Sequence, residues 1–295
     1  AVTSACAQAR GAFCLLILAN DQLIAVRDSL GIKPLSLGRV EKTDTWVIAA
    51  ETCAFDLLEA EVHRSVEPGE MVIIDSSGLT SLRWADSQKC KHCVFELVYF
   101  ARPDWVVFGE EVYSCRKRMG WQVAKEAPAD ADCVMPLPDS GAYFALGYAQ
   151  GAGLPYEHAM IRNHYIGRTF IQPTQEMRSF DVRIKLNPVS GFIRGKRVVI
   201  ADDSIVRGTT VRGRTSHLRE SGAKEVHFRV SSPPVKFPCL YGVDFPSREE
   251  LIAVHKSSEE IRQYIGLDSL HHLTLAGLKE VLANPDDFCY ACFDG

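Results

Sequence analysis

The sequence predicts an α/β protein: a parallel sheet flanked by helices over the later, larger part of the chain, preceded by a smaller, mainly antiparallel part. Three observations carry this. Residues 198–200 are a short apolar run that reads as a buried parallel strand, followed by the acidic pair Asp202-Asp203, a small hydroxyl-rich stretch and a helix over 211–221. Residues 133–135 form a second short buried strand, again followed by a polar loop, 137–141, and a helix, 142–151. Before residue 87 the pattern is different, with short strands separated by turn signals.

In that first part, residues 11–18 and 23–26 read as strands joined by an Asn20-Asp21 turn, so a hairpin is expected. A loop punctuated by Gly31 and Pro34 follows, then strands over 46–50 and 71–74, the last entered through Pro68-Gly69. Further on, residues 94–100 read as an apolar strand and 112–127 as a helix rich in Lys and Arg. Residues 154–194 have weak periodicity and carry Arg162, Arg168, Arg178, Arg183 and Lys185. A long basic segment of this kind suits a lid that closes over phosphates and shuts out water. Residues 225–231 read as a strand, and 248–254, 258–265 and 273–282 as helices.

Composition bounds the functional class. The chain has 295 residues, 46% of them apolar and 24% charged, enough for a good core and for more than one domain. A net charge of -4 argues against nucleic acid or an anionic membrane surface as partner. No apolar run approaches the ~18 residues of a membrane span. The first residues lack the basic and apolar regions of a secretion signal, and Ala1 stands where an initiator Met would, so position 1 is read as a processed end or the edge of a fragment. Ten cysteines without a secretion signal suggest reduced thiols or metal ligands, and a cytoplasmic protein.

The stretch Ser204 to Thr210 has the chemistry of a phosphate loop. Helix N-termini favour anions through free N–H groups and the positive dipole end. Gly208 permits close backbone approach, and Ser204, Thr209 and Thr210 supply hydroxyls. Asp202 and Asp203 would repel a phosphate, so they are expected to face sugar hydroxyls or Mg²⁺. Asp139, Ser140 and Gly141 begin the other helix in the same way.

The string DDSIVRGTT resembles the PRPP-binding motif of type I phosphoribosyltransferases, and in its full form that of the amidophosphoribosyltransferases, which make 5-phosphoribosylamine and diphosphate from PRPP and glutamine in the first step of purine biosynthesis. The strings RNHYIGRTFIQP and CVFELVYFARPD are similar to the same family, the first to its flexible catalytic loop. RDSLGIKPLSLG, AAETCAFD and VEPGEMVII resemble the second half of its N-terminal-nucleophile glutaminase domain. The resemblance implies a partial, mainly antiparallel glutaminase domain over 1–86 and a type I phosphoribosyltransferase fold over 87–295. It implies PRPP binding by Asp139, Ser140, Gly141, Lys185, Asp202, Asp203, Ser204, Ile205, Val206, Arg207, Gly208, Thr209 and Thr210. Asp202, Asp203 and Arg168 would be catalytic, with Mg²⁺ at Ser140, Asp202 and Asp203. In that family the first residue of the mature chain is a nucleophilic cysteine. Here it is Ala1, and Cys6 lies in surroundings unlike the start of the domain, so glutamine hydrolysis is not expected and ammonia is the expected donor. The resemblance also implies feedback inhibition by purine nucleotides and a homo-oligomer. A catalytically silent PRPP-binding regulator and an inactive fragment are the alternatives.

The cysteines add a second candidate site. Cys289 and Cys292 are spaced C-x-x-C, close enough to share a metal, and Cys93 and Cys239 lie in loop-like contexts beside Pro or aromatic residues. The resemblance assigns these four as ligands of a [4Fe-4S] cluster in a cluster-bearing subgroup. Zinc suits four thiolates too, Cys90 offers a spare ligand, and unliganded thiols remain an alternative. Cys14, Cys53, Cys115 and Cys133 read as buried small hydrophobes.

Overall fold

A computed structural model describes residues 1–86, 89–163, 186–245 and 247–295. The chain forms two units. One comprises Ala1–Tyr113, Cys239–Asp244 and Ala283–Tyr290; the other comprises Ser114–Pro238, Phe245–Leu282 and Ala291–Gly295.

The first unit is built from antiparallel β-structure. After a short helix α1 (Val2–Cys6), strands β1 (Cys14–Ala19) and β2 (Gln22–Arg27) form the expected hairpin, with Ala19 opposite Gln22 across the turn. They join β6 (Glu70–Asp75) and β7 (Gly78–Arg83) in a sheet of order β1-β2-β6-β7. A second sheet has the order β4-β3-β5, from β3 (Ser36–Val40), β4 (Thr45–Ala49) and β5 (Glu61–Ser65); helix α2 (Cys53–Leu57) follows β4. Alternation along β2 explains how this unit is filled. Ile24 and Val26 pack with Cys6 and Met71, while Ala25 faces the other way and packs with Leu35, Leu37, Val66 and Val72. Edge strand β1 is less covered: Leu15, Leu16 and Leu18 are 39%, 53% and 80% exposed.

A buried arginine organises the loop after β2. Arg27 donates to the carbonyls of Lys33, Gly31 and Val66 at 2.8, 2.8 and 2.6 Å, and Asp28 accepts from the N–H groups of Leu30 and Ile32. Both charged groups thus satisfy backbone that would otherwise be orphaned. The short strands β8 (His92–Cys93), β9 (Val106–Val107) and β10 (Glu110–Glu111) complete the unit, with β9 paired to β10 and β8 paired in parallel to β17 (Phe288–Cys289).

The second unit carries the parallel sheet, of order β11-β14-β15-β16, from β11 (Cys133–Pro136), β14 (Arg197–Asp202), β15 (Glu225–Val230) and β16 (Ser269–His272). Its helices include α3 (Val112–Glu126), which begins at the end of the first unit, α4 (Ala142–Ala152) after β11, and α6 (Thr209–Glu220) between β14 and β15. The short α5 (Ser190–Ile193) precedes β14; α7 (Ile252–His255) and α8 (Ser258–Ile265) lie between β15 and β16. Helix α9 (Leu275–Glu280) follows β16, and α10 (Ala291–Asp294) ends the chain. Strands β12 (Met160–Arg162) and β13 (Leu186–Pro188) pair antiparallel. Helix α8 starts with a reciprocal Ser257–Glu260 cap and stops at Gly266, whose φ of 85° suits glycine. The core joins Val198, Ile200, Val226, Phe228 and Val230 of the strands to Val211 and Leu218 of α6 and Ile261 and Ile265 of α8.

Some local expectations are corrected. Residues 94–100 are not a strand: Glu96–Phe100 is a wide helical turn closed by the Ala101 N–H on the Glu96 carbonyl, five residues back, at 2.9 Å. The helix expected over 248–254 is one 3₁₀ turn, Arg248–Glu250, followed by α7. Cys14 is half-buried, whereas Cys53, Cys115 and Cys133 are buried as expected.

Candidate functional site

Two loops leave the carboxyl ends of neighbouring parallel strands, where open α/β sheets place ligands. In the β11–β14 pair, Pro136 lies opposite Ala201, and one further bond, from Leu137 N–H to the Ala201 carbonyl at 2.8 Å, holds the start of the first loop to β14. The first loop then turns into α4 at Gly141. A Cβ on Gly141 would overlap the Ala201 carbonyl oxygen, so only glycine allows this close approach. Beyond the backbone, Ser140 Oγ lies 3.4 Å from Asp202 Oδ1. Exposed Asp139 pairs with Arg162 of β12.

The second loop begins with the acidic pair. The Asp203 N–H donates to Asp202 Oδ1 at 2.9 Å, and Ser204 Oγ donates to Asp203 Oδ1 at 2.5 Å. The carbonyls of Asp202 and Asp203 accept from the N–H groups of Ser231 and Ser232, both at 3.0 Å, which ties the loop to the segment after β15. Ile205 is buried as the loop's anchor, and the Val206 carbonyl accepts from Ile252 N–H. Arg207 reaches outward to Glu250 at 3.1 and 3.2 Å. Gly208, at φ 75°, is the residue before α6, and Thr209 and Thr210 are exposed on its first turn. Among the described residues no side chain caps the start of α4 or α6. At α4 the Ala142 N–H donates to the Asp139 carbonyl at 3.3 Å, whereas the start of α6 points its first N–H groups where an anion can use them.

Burial, and after it the charge of Asp203, pushes the Asp202 carboxyl well above the usual carboxylate range, with Arg214 opposing. Two cations act on the pair, Arg116 buried and Arg214 partly buried. Arg116 of α3 is 3% exposed and is acted on by Asp203; Arg214 of α6 is acted on by both aspartates. Burial lowers the pKa of each guanidinium, and the aspartates resist that shift. Neither arginine was identified from the sequence. Arg214 had a legible signal, since it falls in the 211–214–215–218 stripe that faces the sheet.

Oxygen donors on two carboxylates beside a hydroxyl are the donor chemistry Mg²⁺ takes. The mutual repulsion of two carboxylates is also what a cation or sugar hydroxyls relieve. Among the described residues no three His, Cys, Asp or Glu side chains converge to hold a metal ion. Mg²⁺ commonly needs only one or two carboxylates together with substrate oxygens, so the pair fits it. The expected Arg168 and Lys185, with most of the basic segment, lie outside the described residues.

Of the four candidate cluster cysteines, Cys93 and Cys289 are direct partners across the β8–β17 pair. Cys239 belongs to the same unit, and its sulfur accepts from Tyr241 N–H at 3.2 Å. Lys33, bonded to Glu96 at 2.6 Å, is held above its usual pKa, against its own burial, by Cys93, Glu96 and Cys239. Cys292 belongs to the other unit, three residues along the chain from Cys289, and its carbonyl accepts from the N–H groups of Lys236 and Phe237. Burial pushes the Cys93 thiol up to about 11, and all four thiols are free of disulfides. Four thiols are the donor chemistry an iron–sulfur or zinc site takes, but beyond the Cys93–Cys289 pair the described residues bring no three of these side chains together to hold a metal ion.

Residues 110–232 match the family model of the phosphoribosyl transferase domain. The amidophosphoribosyltransferase of Synechococcus elongatus is 49% identical over 298 residues, covering all of this chain and 60% of that protein. The chloroplastic amidophosphoribosyltransferase of Glycine max is 49% identical over 295 residues, covering all of this chain and 52% of that protein. Among solved structures, a glutamine PRPP amidotransferase from B. subtilis complexed with ADP and GMP superposes with a TM-score of 0.93 at 45% identity, over 99% of this chain and 65% of that one. The antiparallel sheets followed by a parallel sheet with helices are the fold of that enzyme over the shared length. The chain spans 60% and 52% of the two curated relatives, so it matches a part of each. Along its whole length, the chain is similar to part of each of these amidophosphoribosyltransferases.

Proposed function

We propose that the chain is an amidophosphoribosyltransferase acting on PRPP with ammonia, forming 5-phosphoribosylamine and diphosphate. The observation that carries this reading is the pairing of two loops at adjacent strand ends, Ser140 against Asp202 and Gly141 against Ala201. A single substrate with an anion at each end of a ribose needs such a pair. In this reading the 5-phosphate lies on the 204–210 loop at the start of α6, and the diphosphate on Asp139, Ser140 and Gly141 at the start of α4. Asp202 and Asp203 hold the ribose hydroxyls. Ammonia attacks C1, the bond from C1 to the diphosphate oxygen breaks, and the added nitrogen gives its proton to solvent. The residues position the reactants and stabilise the leaving charge, with Arg168 and Lys185 contributing from the basic segment. Mg²⁺, held by Asp202, Asp203 and Ser140, would neutralise charge on the diphosphate when bound.

Residues 1–86 are assigned as a partial glutaminase domain and 87–295 as the phosphoribosyltransferase domain. Cys93, Cys239, Cys289 and Cys292 are assigned as ligands of a [4Fe-4S] cluster with a structural role. Purine nucleotides as feedback inhibitors, a homo-oligomer and a cytoplasmic location complete the reading.

The test is Mg²⁺-dependent diphosphate release from PRPP, with ammonium chloride and glutamine compared as donors. Release with ammonium, abolished in Asp203→Ala, is expected. Binding of PRPP without release by either donor would favour a silent PRPP-binding regulator, and near-normal turnover in Asp203→Ala would refute the assignment of the acidic pair.

A further inference from the structure

Three consecutive residues of the 204–210 loop meet one short stretch of chain that is far from it in sequence. The Val206 carbonyl accepts from Ile252 N–H at 2.9 Å. Arg207 meets Glu250 as a fork, Nε to Oε1 at 3.1 Å and Nη2 to Oε2 at 3.2 Å. Beside Gly208, Ile252 Cδ1 lies 2.8 Å from where a Cβ would stand, so the loop backbone runs against that side chain. The stretch making these contacts is itself anchored. Leu251 and Ile252 are buried, Ile252 in the core that includes Val211 and Leu218 of α6. Glu250 ends its 3₁₀ turn with its N–H on the Ser247 carbonyl at 2.9 Å.

A loop whose N–H groups must converge on one phosphate loses freedom when the phosphate arrives, and a glycine at its end, Gly208 at φ 75°, adds to that freedom. Contacts that fix the loop beforehand lower the cost of binding. A backbone bond holds Val206 and an apolar contact holds Gly208. Between them the hold is the fork of Arg207 on Glu250, which sets direction as well as distance. We propose that Glu250 is a positioning residue: through Arg207 it holds the 204–210 loop in the shape that receives the 5-phosphate of a phosphoribosyl substrate. This rests on the phosphoribosyl reading above and goes beyond it, because Glu250 lies outside both ligand loops. A Glu250 that instead competed with the phosphate for Arg207 would have the opposite sign, with tighter binding once its charge is removed.

The test compares the full chain with Glu250→Gln, Arg207→Met and the double variant. Calorimetric titrations in Mg²⁺ use PRPP, ribose 5-phosphate, which carries the group placed on this loop, and inorganic diphosphate, which carries the group placed at α4. Thermal melts report folding, and ammonium-dependent diphosphate release gives KM and kcat. Glu250→Gln is expected to melt with the parent, since the pair is exposed, and to bind PRPP and ribose 5-phosphate about three- to fivefold more weakly. Diphosphate affinity stays parental, KM rises in step while kcat changes less, and the double variant binds no more weakly than the weaker single one. Unchanged or tighter PRPP binding in Glu250→Gln overturns this proposal and leaves the phosphoribosyl reading standing. Equal losses for all three ligands, or additive losses in the double variant, overturn it as well. A parent chain that does not bind PRPP refutes the phosphoribosyl reading, and this inference with it.

Discussion

Replacing Gly141 by alanine tests the joint between the two loops. The added methyl would overlap the Ala201 carbonyl oxygen and lie 3.0 Å from the Leu137 carbonyl oxygen. Both obstacles are backbone atoms, so no side chain can swing aside. Either the start of α4 moves away from β14, or the 2.8 Å bond from Leu137 N–H to the Ala201 carbonyl breaks. Overpacking of this kind costs about 1–3 kcal/mol. A lost backbone bond adds about 1 kcal/mol, for a total of about 2–4 kcal/mol. At roughly 2–4 °C per kcal/mol for a domain of this size, Gly141→Ala should melt about 5–15 °C lower. The same shift pulls Ser140 away from Asp202, so PRPP binding should weaken at least about tenfold. Scanning calorimetry and PRPP titration read the two effects separately. A variant melting within about 2 °C of the parent with equal PRPP affinity would refute the claim that the loops are locked through Gly141.

Three other outcomes follow from the geometry. Burial, and after it the charge of His271, holds the His272 pKa at about 4 against an ordinary 6.5. The unfolded chain therefore takes up a proton that the folded chain refuses. Stability present above pH 6.5 is lost as pH falls toward 4, by up to about 3 kcal/mol, and urea titrations of His272→Leu should show a flatter profile over that range. Glu126 accepts from His271 Nε2, Thr274 N and Thr274 Oγ1 at 3.0, 3.0 and 2.8 Å, joining α3 to the start of α9; Glu126→Ala should cost about 1–3 kcal/mol in equilibrium unfolding, and no change would mean this junction is marginal. If a cluster is held as proposed, anaerobically purified protein should contain iron and sulfide, and Cys289→Ser should lose most of both. Equal iron in the variant would remove Cys289 from the ligand set.

The legible parts of the sequence were those where several local signals agreed. At β14 the apolar run, the acidic pair, Gly208 and the following helix all pointed to one unit, and the strand, loop and α6 lie where expected. The stretch 94–100 misled because a short apolar run fits a buried strand or a buried helical turn equally. The discordant residue was Glu96, 6% exposed and paired with Lys33, a charge placed at the centre of an apolar run. Strand β16 was missed because Ser-Leu-His-His neither alternates nor carries β-branched residues; it is held at the sheet edge by pairing with β15. Arg116 and Arg214 escaped because they lie in helices outside the loop motifs. The stripe on α6 hinted at Arg214, but the effect of the aspartates on both arginines is a property of the tertiary structure.

Strand β1 has a consequence for how the protein behaves at high concentration. It is bonded to β2 on one side, with Leu16 and Leu18 largely open to solvent. A terminal ribbon with free amides and greasy side chains is a template on which another chain can crystallise its own ribbon. Isolated in water, such molecules should stick to one another as their concentration rises, and a single lysine in place of Leu18 should act as a gatekeeper that keeps them apart.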